Sequence, residues 1–215
     1  MKIVIIDYGI GNVKSIMNSF EKQNIKAILS RDKHVILEAD GLILPGVGAF
    51  SHGMNNLNKY GLVPIIKEYV KTEKPLLGIC LGMQMLFERS EEFLNTEGIG
   101  LIKGTVIKLP IESSNKIKLP HISWNEIMPK KILWSNTILE DVKVNSNMYF
   151  IHTFVGKPES DKDILSITKY HDIEFCSSIK KGNIYGCQFH PEKSAETGLS
   201  IISNFIKICS IIKLN

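Results

Sequence analysis

Apolar positions recur along this chain in two rhythms, one of strands and one of helices. Lys2 to Asp7 is a short β-rich run, and Tyr8-Gly9-Ile10-Gly11-Asn12 after it reads as a turn. Val13, Ile16, Met17 and Phe20 then recur at helical spacing, so the chain opens as strand, loop and helix. Lys26 to Ser30 and Gly41 to Leu44 read as two more strands, with a brief helical or irregular segment from Asp32 to Glu38 between them. Leu62, Ile65, Ile66, Tyr69 and Val70 share one face of a helix over Leu62 to Thr72. Pro75 to Ile79 is a buried strand, and Leu81 to Arg89 a helix-forming run. Such alternation predicts an α/β fold, a mostly parallel sheet with helices on both faces. Ligands of such sheets bind beyond the carboxyl ends of the strands, where Asp7, Pro45 and Cys80 fall.

The second half changes character. Gly100 to Leu109, Met148 to His152, Ile164 to Lys169, Glu174 to Ile179 and Ile184 to Phe189 are short β-branched runs separated by turn signals. Lys181-Gly182-Asn183 is a hairpin turn signal. These runs predict added antiparallel strands rather than a second domain, so residues 1–215 read as one domain. Gly198 to Leu214 keeps a helical stripe in which Cys209 is most simply core.

Composition changes this picture little. With 215 residues, 44% of them apolar and 22% charged, the chain can bury a full core without staples. The net charge of +4 comes from lysines scattered among acids, with no basic stripe interleaved with aromatics, so neither nucleic acid nor a membrane is expected as a partner. Cys80, Cys176, Cys187 and Cys209 lack C-x-x-C spacing, and the apolar run Met1 to Ile6 is too short for a secretory leader. Reduced thiols in a cytoplasmic protein are the expectation. No clustered His/Cys set suggests a metal, and no motif suggests a cofactor.

Three stretches carry candidate chemistry. Gly78-Ile79-Cys80-Leu81-Gly82 follows the Gly-x-nucleophile-x-Gly pattern of a strand-to-helix elbow, with sulfur in place of a hydroxyl. A thiol there is exposed by the turn and feels the positive end of the helix dipole, which favours the thiolate. A buried structural cysteine is the plainer alternative. Pro45-Gly46-Val47-Gly48-Ala49-Phe50 would bring bare N–H groups near a ligand, although a tight turn explains it equally, and the phosphate-loop patterns are missing. In Gln188-Phe189-His190-Pro191-Glu192, an extended backbone stiffened by Pro191 places His190 and Glu192 on one side, which suits a base and its orienter. A surface histidine beside an unrelated carboxylate remains the alternative.

These three stretches together resemble the class I (triad-type) glutamine amidotransferase family. The resemblance runs from Ile3 to the final helix. Within the family, Asp7 to Asn12, Leu119-Pro120-His121-Ile122-Ser123-Trp124-Asn125 and Tyr149-Phe150-Ile151-His152-Thr153-Phe154 are similar to glutaminase subunits of histidine biosynthesis. The resemblance implies that Cys80 attacks the glutamine amide, His190 shuttles the proton and Glu192 orients His190. It implies an oxyanion hole from the Leu81 and Val47 N–H groups, and glutamine held by Gly46, Gly48, Gln84, Thr153 and Phe154. It implies a (β/α)8 barrel cyclase partner that receives the ammonia and faces Asn12, Trp124 and Lys193, although Trp124 suits ordinary core equally well. Ser123 and Phe154 depart from the family's usual glycine and aromatic hydroxyl, which leaves room for a paralogue feeding ammonia into amidino-sugars. A cysteine hydrolase of another kind, or a relic binding subunit, is the alternative of a different class.

Overall fold

The computed structural model describes residues 1–93, 95–111, 117–131 and 133–214. In chain order the elements are β1 (Ile3–Ile6), α1 (Val13–Glu21), β2 (Ile28–Ser30), α2 (Lys33–Leu37), β3 (Gly41–Leu44), α3 (Phe50–Lys59), α4 (Leu62–Val70), β4 (Leu76–Ile79) and α5 (Leu81–Met85). There follow β5 (Phe87–Ser90), β6 (Thr96–Glu97), β7 (Ile102–Lys108), β8 (His121–Ile127), β9 (Ser146–His152), β10 (Phe154–Pro158), β11 (Ile164–Tyr170), β12 (Ile173–Lys181), β13 (Ile184–Cys187) and α6 (Ala195–Leu214). A seven-stranded sheet in the order β11-β12-β13-β4-β3-β1-β2 forms the centre. Its strands from β13 to β2 pair in parallel, while β12 and β11 are antiparallel additions. The fold is thus the α/β class that the periodicity predicts, with the added antiparallel strands.

Every residue of β1, β3 and β4 is buried. That is why these strands are unbroken apolar runs: a parallel sheet covered on both faces leaves no polar face. Ile3 and Ile5 of β1 enter one core layer with Phe20 and Phe205, and Val4 and Ile6 enter the other with Leu57 and Ile66. A smaller sheet, β10-β7-β5-β6, and the β8-β9 hairpin flank this body. The final helix is long and apolar enough to cross a membrane by length and composition alone. Ile201, Ile202, Phe205 and Cys209 on it are nonetheless fully buried in the core, which accounts for its apolar stripe.

The elements that differ from the periodicity include α5, α3 and β8. The helix expected over Leu81 to Arg89 stops at Met85, and Phe87–Ser90 becomes a strand parallel to β7. The Phe87 ring fills the space beside Gly156, so tertiary packing overrides local helix propensity. Helix α3 carries Gly53 and three asparagines, poor helix formers, yet Phe50, Met54 and Leu57 supply a buried face. Strand β8 carries its pattern in inverted phase, with two of its three outward residues apolar: Ile122 is 55% and Trp124 49% exposed.

Candidate active site

Strand β4 ends at Ile79 and α5 begins at Leu81, so Cys80 alone makes the turn, at φ 53° and ψ −111°. A side chain held at positive φ carries about 1–3 kcal/mol of backbone strain, which the surroundings must impose. They do so through glycines. A Cβ on Gly78 would lie 2.8 Å from the Met83 nitrogen, and one on Gly82 would overlap the Leu44 carbonyl oxygen. Hydrogen bonds close the turn, from the Cys80 N–H to the Cys187 carbonyl at 2.7 Å and from the Gln84 N–H to the Cys80 carbonyl at 3.1 Å. Cys80 is 6% exposed, with its sulfur 3.8 Å from Gln188 Nε2 and 3.9 Å from the Ile151 carbonyl oxygen.

Neighbouring β13 carries the second half of the site. Cys187 is in register with Ile79, so the chain leaving β13 emerges beside the elbow. His190 is extended at φ −102° and ψ 95°, but Pro191–Lys193 form one turn of 3-10 helix rather than continuing the expected extended run. Proline at the start of that turn has the φ it needs and lacks only an N–H that would have no partner. The turn brings Glu192 Oε1 to 2.8 Å from His190 Nδ1, with both side chains almost wholly buried. Strand β9 steadies the pair from behind. The His190 N–H donates to the Tyr149 carbonyl at 3.0 Å, while the Ser194 hydroxyl donates to the His190 carbonyl at 2.7 Å and accepts from the Tyr149 N–H at 3.0 Å. Burial opposes the imidazolium, but Cys80 and Glu192 together outweigh it and raise the His190 pKa to about 10. Nε2, the nitrogen left over, makes no hydrogen bond among the described residues.

A cavity of about 300 Å³ joins these groups, lined by Val47, Gly48, Leu81, Gln84, Thr153, Phe154 and Lys193 as well as Cys80 and His190. Gly46 lies beneath it, buried, where a Cβ would come 2.7 Å from the Gly82 nitrogen. Asn12 opens α1 and Trp124 sits on the outer face of β8, neither on the cavity wall. Trp124 is exposed, and Lys193 and Trp124 meet around Tyr149: the Lys193 ammonium lies 5.7 Å from its ring centre and the Trp124 ring 5.8 Å.

Four lining residues had no site role in the sequence, Glu92, Pro120, Ile151 and His152, and two of them bring polar chemistry. Glu92 accepts the Phe50 N–H at 2.6 Å and brings a carboxylate to the cavity; nothing in the run Arg89-Ser90-Glu91-Glu92 distinguishes it from a solvated acid. His152 begins a buried polar chain: its Nε2 meets His121 Nδ1 at 3.0 Å and its Nδ1 meets the Phe154 carbonyl at 3.1 Å. That carbonyl also accepts from Gln84 Nε2 at 2.8 Å, and Gln84 Nε2 reaches Gln188 Oε1 at 3.0 Å. Burial and then the neighbouring His121 push the His152 pKa down to about 3. Only its place in Ile151-His152-Thr153 marked it.

A cysteine on a strained strand-to-helix elbow, backed by a buried His–Glu pair from the adjacent strand, defines a thiol acyl-transfer site on a doubly wound sheet. The glutamine amidotransferase class-I family matches residues 4–209, and the chain belongs to that family. Among its relatives is the imidazole glycerol phosphate synthase subunit HisH 1 of Legionella pneumophila (strain Lens), 43% identical over 210 residues, 96% of this chain and 99% of that one. The subunit HisH 2 of Methanococcus maripaludis is 46% identical over 206 residues, 95% and 98% of the two chains. A solved glutamine amidotransferase from Thermotoga maritima shares the fold, at a TM-score of 0.61 and 18% identity over 100% of this chain and 86% of that one.

Proposed function

We propose that this chain is the glutaminase subunit of an imidazole glycerol phosphate synthase, cleaving glutamine at Cys80 and passing the ammonia to a (β/α)8 barrel cyclase in histidine biosynthesis. The observation that carries the chemistry is that Cys80 on its elbow and His190 line one cavity, close enough for Cys80 to favour the charged imidazole. The sulfur attacks the side-chain amide carbon while its proton is held on His190, whose charged form Cys80 and Glu192 favour. The tetrahedral oxyanion is held by the Leu81 N–H and, from the glycine loop, the Val47 N–H; such donors act because they are fixed where charge develops. Collapse breaks the C–N bond, His190 returns the proton to the leaving nitrogen, and a γ-glutamyl thioester remains. Water, deprotonated by His190, releases glutamate. Glu192 keeps the imidazole oriented and stabilises its charged form.

Substrate contacts follow from what each group has left to offer. Gln84 spends Nε2 internally, so its Oε1 faces glutamine. The Thr153 carbonyl already accepts from the Leu109 N–H, and the Phe154 carbonyl has two donors. Grip by this segment therefore comes from its N–H groups and the Thr153 hydroxyl. Glu92 is the one carboxylate among the described lining residues and suits the substrate's ammonium. Gly46 and Gly48 give the main chain its close approach.

Ammonia in neutral water is mostly protonated and no longer nucleophilic, so a glutaminase of this kind works against a shielded acceptor site. The exposed strip of Ile122, Trp124 and Ile151 on the β8-β9 hairpin borders the cavity and supports docking there, with Lys193 beside it over the Tyr149 ring; Asn12, at the start of α1, is assigned to the same partner by the family resemblance. Reduced, buried thiols fit the cytoplasm. The test is glutamine hydrolysis by the chain alone and with the barrel cyclase of the same organism plus its nucleotide ligand. Turnover raised by orders of magnitude is expected; equal turnover with and without that cyclase would discard this partner.

A further inference from the structure

The segment that supplies the second oxyanion donor is anchored on one side by a phenol. Tyr8 is fully buried just beyond the end of β1, and its hydroxyl donates to the Pro45 carbonyl at 2.6 Å. Pro45 is the last residue before the glycine loop. The next, Gly46, is clamped from both sides: a Cβ there would lie 2.9 Å from the Tyr8 hydroxyl and 2.8 Å from the Leu81 Cβ. Beyond that clamp the loop opens abruptly. Val47 is 39% exposed, and Gly48 sits at φ 91° with open space around it. The Tyr8 to Pro45 bond is therefore the final side-chain anchor before the free part of the loop.

We propose that Tyr8 is a positioning residue for glutamine hydrolysis: by holding the Pro45 carbonyl it leaves only the Gly46 to Val47 peptide free to turn, and so sets where the Val47 N–H points. Without the phenol the Pro45 to Gly46 peptide plane loses its partner, and a glycine at the next position offers no steric resistance to its rotation. The donor then spreads over directions instead of being fixed before reaction, and preorganisation is what makes such a donor effective. The same residue carries the coupling outward. Its carbonyl accepts from Asn56 Nδ2 at 2.9 Å, and three residues on, Gly11 packs against Pro45, where a Cβ would lie 3.2 Å from the proline Cβ. Contact at the Gly9 to Asn12 turn thus reaches Pro45 by two routes, the Tyr8 phenol and the Gly11 backbone. The role rests on reading the site as a glutaminase.

The test is Tyr8→Phe, which removes one oxygen and keeps the ring. The matched control is Tyr69→Phe: that phenol is equally buried and also donates to a proline carbonyl, Pro75 at 3.1 Å, but at the far end of β4. Glutamine hydrolysis is measured with the ligand-loaded barrel cyclase, and alkylation of Cys80 by iodoacetamide alongside, because alkylation builds no oxyanion. For Tyr8→Phe we expect kcat to fall about 10- to 100-fold with KM within about two-fold and alkylation unchanged, somewhat less than outright loss of a donor. Tyr69→Phe should keep wild-type kcat. Normal turnover in Tyr8→Phe overturns the role, as does a rise in KM alone or an equal fall in alkylation. A wild-type chain alkylated at Cys80 that hydrolyses no glutamine overturns the glutaminase reading itself. Should Tyr8→Phe not fold, 3-fluorotyrosine at position 8 keeps the donor; its fluorine resonance should move when glutamine is added to the complex, and a resonance indifferent to glutamine overturns the proposal.

Discussion

Cys80 joins two demands that conflict, because the backbone conformation that presents its sulfur is one that a Cβ resists. Replacing it with alanine removes the nucleophile and keeps the strain; replacing it with glycine removes both. We therefore expect Cys80→Gly to be more stable than Cys80→Ala by about 1 kcal/mol in urea unfolding, after allowing for glycine's looser unfolded chain. Both should bind glutamine without cleaving it. Equal stabilities would mean that the turn is unstrained. His190 gives the pH counterpart. Its pKa is raised from 6.5 to about 10 in the folded protein, against burial, by Cys80 and Glu192. A raised folded value stabilises fully below the unfolded value and loses that contribution as pH rises through the folded one. Glu192→Gln removes part of it, so its stability deficit should be full at pH 6.5 and shrink as the pH rises toward about 10. A deficit that stays constant between those limits would refute the assigned cause.

At the scale of elements, the β8-β9 hairpin places a histidine pair against the cavity and carries the opposite pH sign. The His152 pKa is depressed from 6.5 to about 3, by burial first. The unfolded chain therefore takes up a proton that the native one refuses as pH falls through this window, and stability falls with it. Substituting His152→Phe should flatten that acid limb in urea titrations; an unchanged slope would place the acid lability elsewhere. The elbow makes its own demand. Gly82→Ala would drive a Cβ into the Leu44 carbonyl oxygen, and since that oxygen belongs to a buried central strand and the Cβ has no rotamer to escape by, we expect a loss of at least about 3 kcal/mol and no glutaminase activity. Elements were legible where packing is simple. The buried parallel strands are apolar throughout and stand out, whereas α3 rests on tertiary contacts that override Gly53, Asn55 and Asn56. Strand β5 was read as helix because Leu86 and Phe87 suit either element, and only the pairing with β7 decides. The Cys80 elbow could be read from its two glycines. Its approach to His190 and Glu192 depends on β4 and β13 being neighbours, which no local pattern encodes.

For the whole molecule, the working parts divide between a rigid centre and a decorated flank. The central sheet holds Cys80 and presents His190, while the flank supplies the cavity wall, the apolar strip and the His121–His152 pair. Ile122→Lys, on the strip and outside the cavity lining, should leave the chain's own fold and basal hydrolysis intact while weakening association with the cyclase at least about tenfold in titration calorimetry. Unchanged affinity would move the docking face elsewhere. The strip also explains why the flank was hard to read: on β8 polar and apolar residues alternate, but the apolar ones, Ile122 and Trp124, face solvent, so the phase misleads about which face is buried. One feature of that flank reaches further. Strand β9 shows Tyr149 and Ile151 on its outer side, and its main chain is hydrogen-bonded to His190 both directly and through Ser194. If the proposed partner docks on this face, Tyr149 and Ile151 serve docking and the catalytic base at once, and selection at those two positions cannot adjust one without disturbing the other. A descendant of this chain that acquired a different partner would have to inherit its old reactivity or re-evolve it, and drift at the surface would be heard at the base.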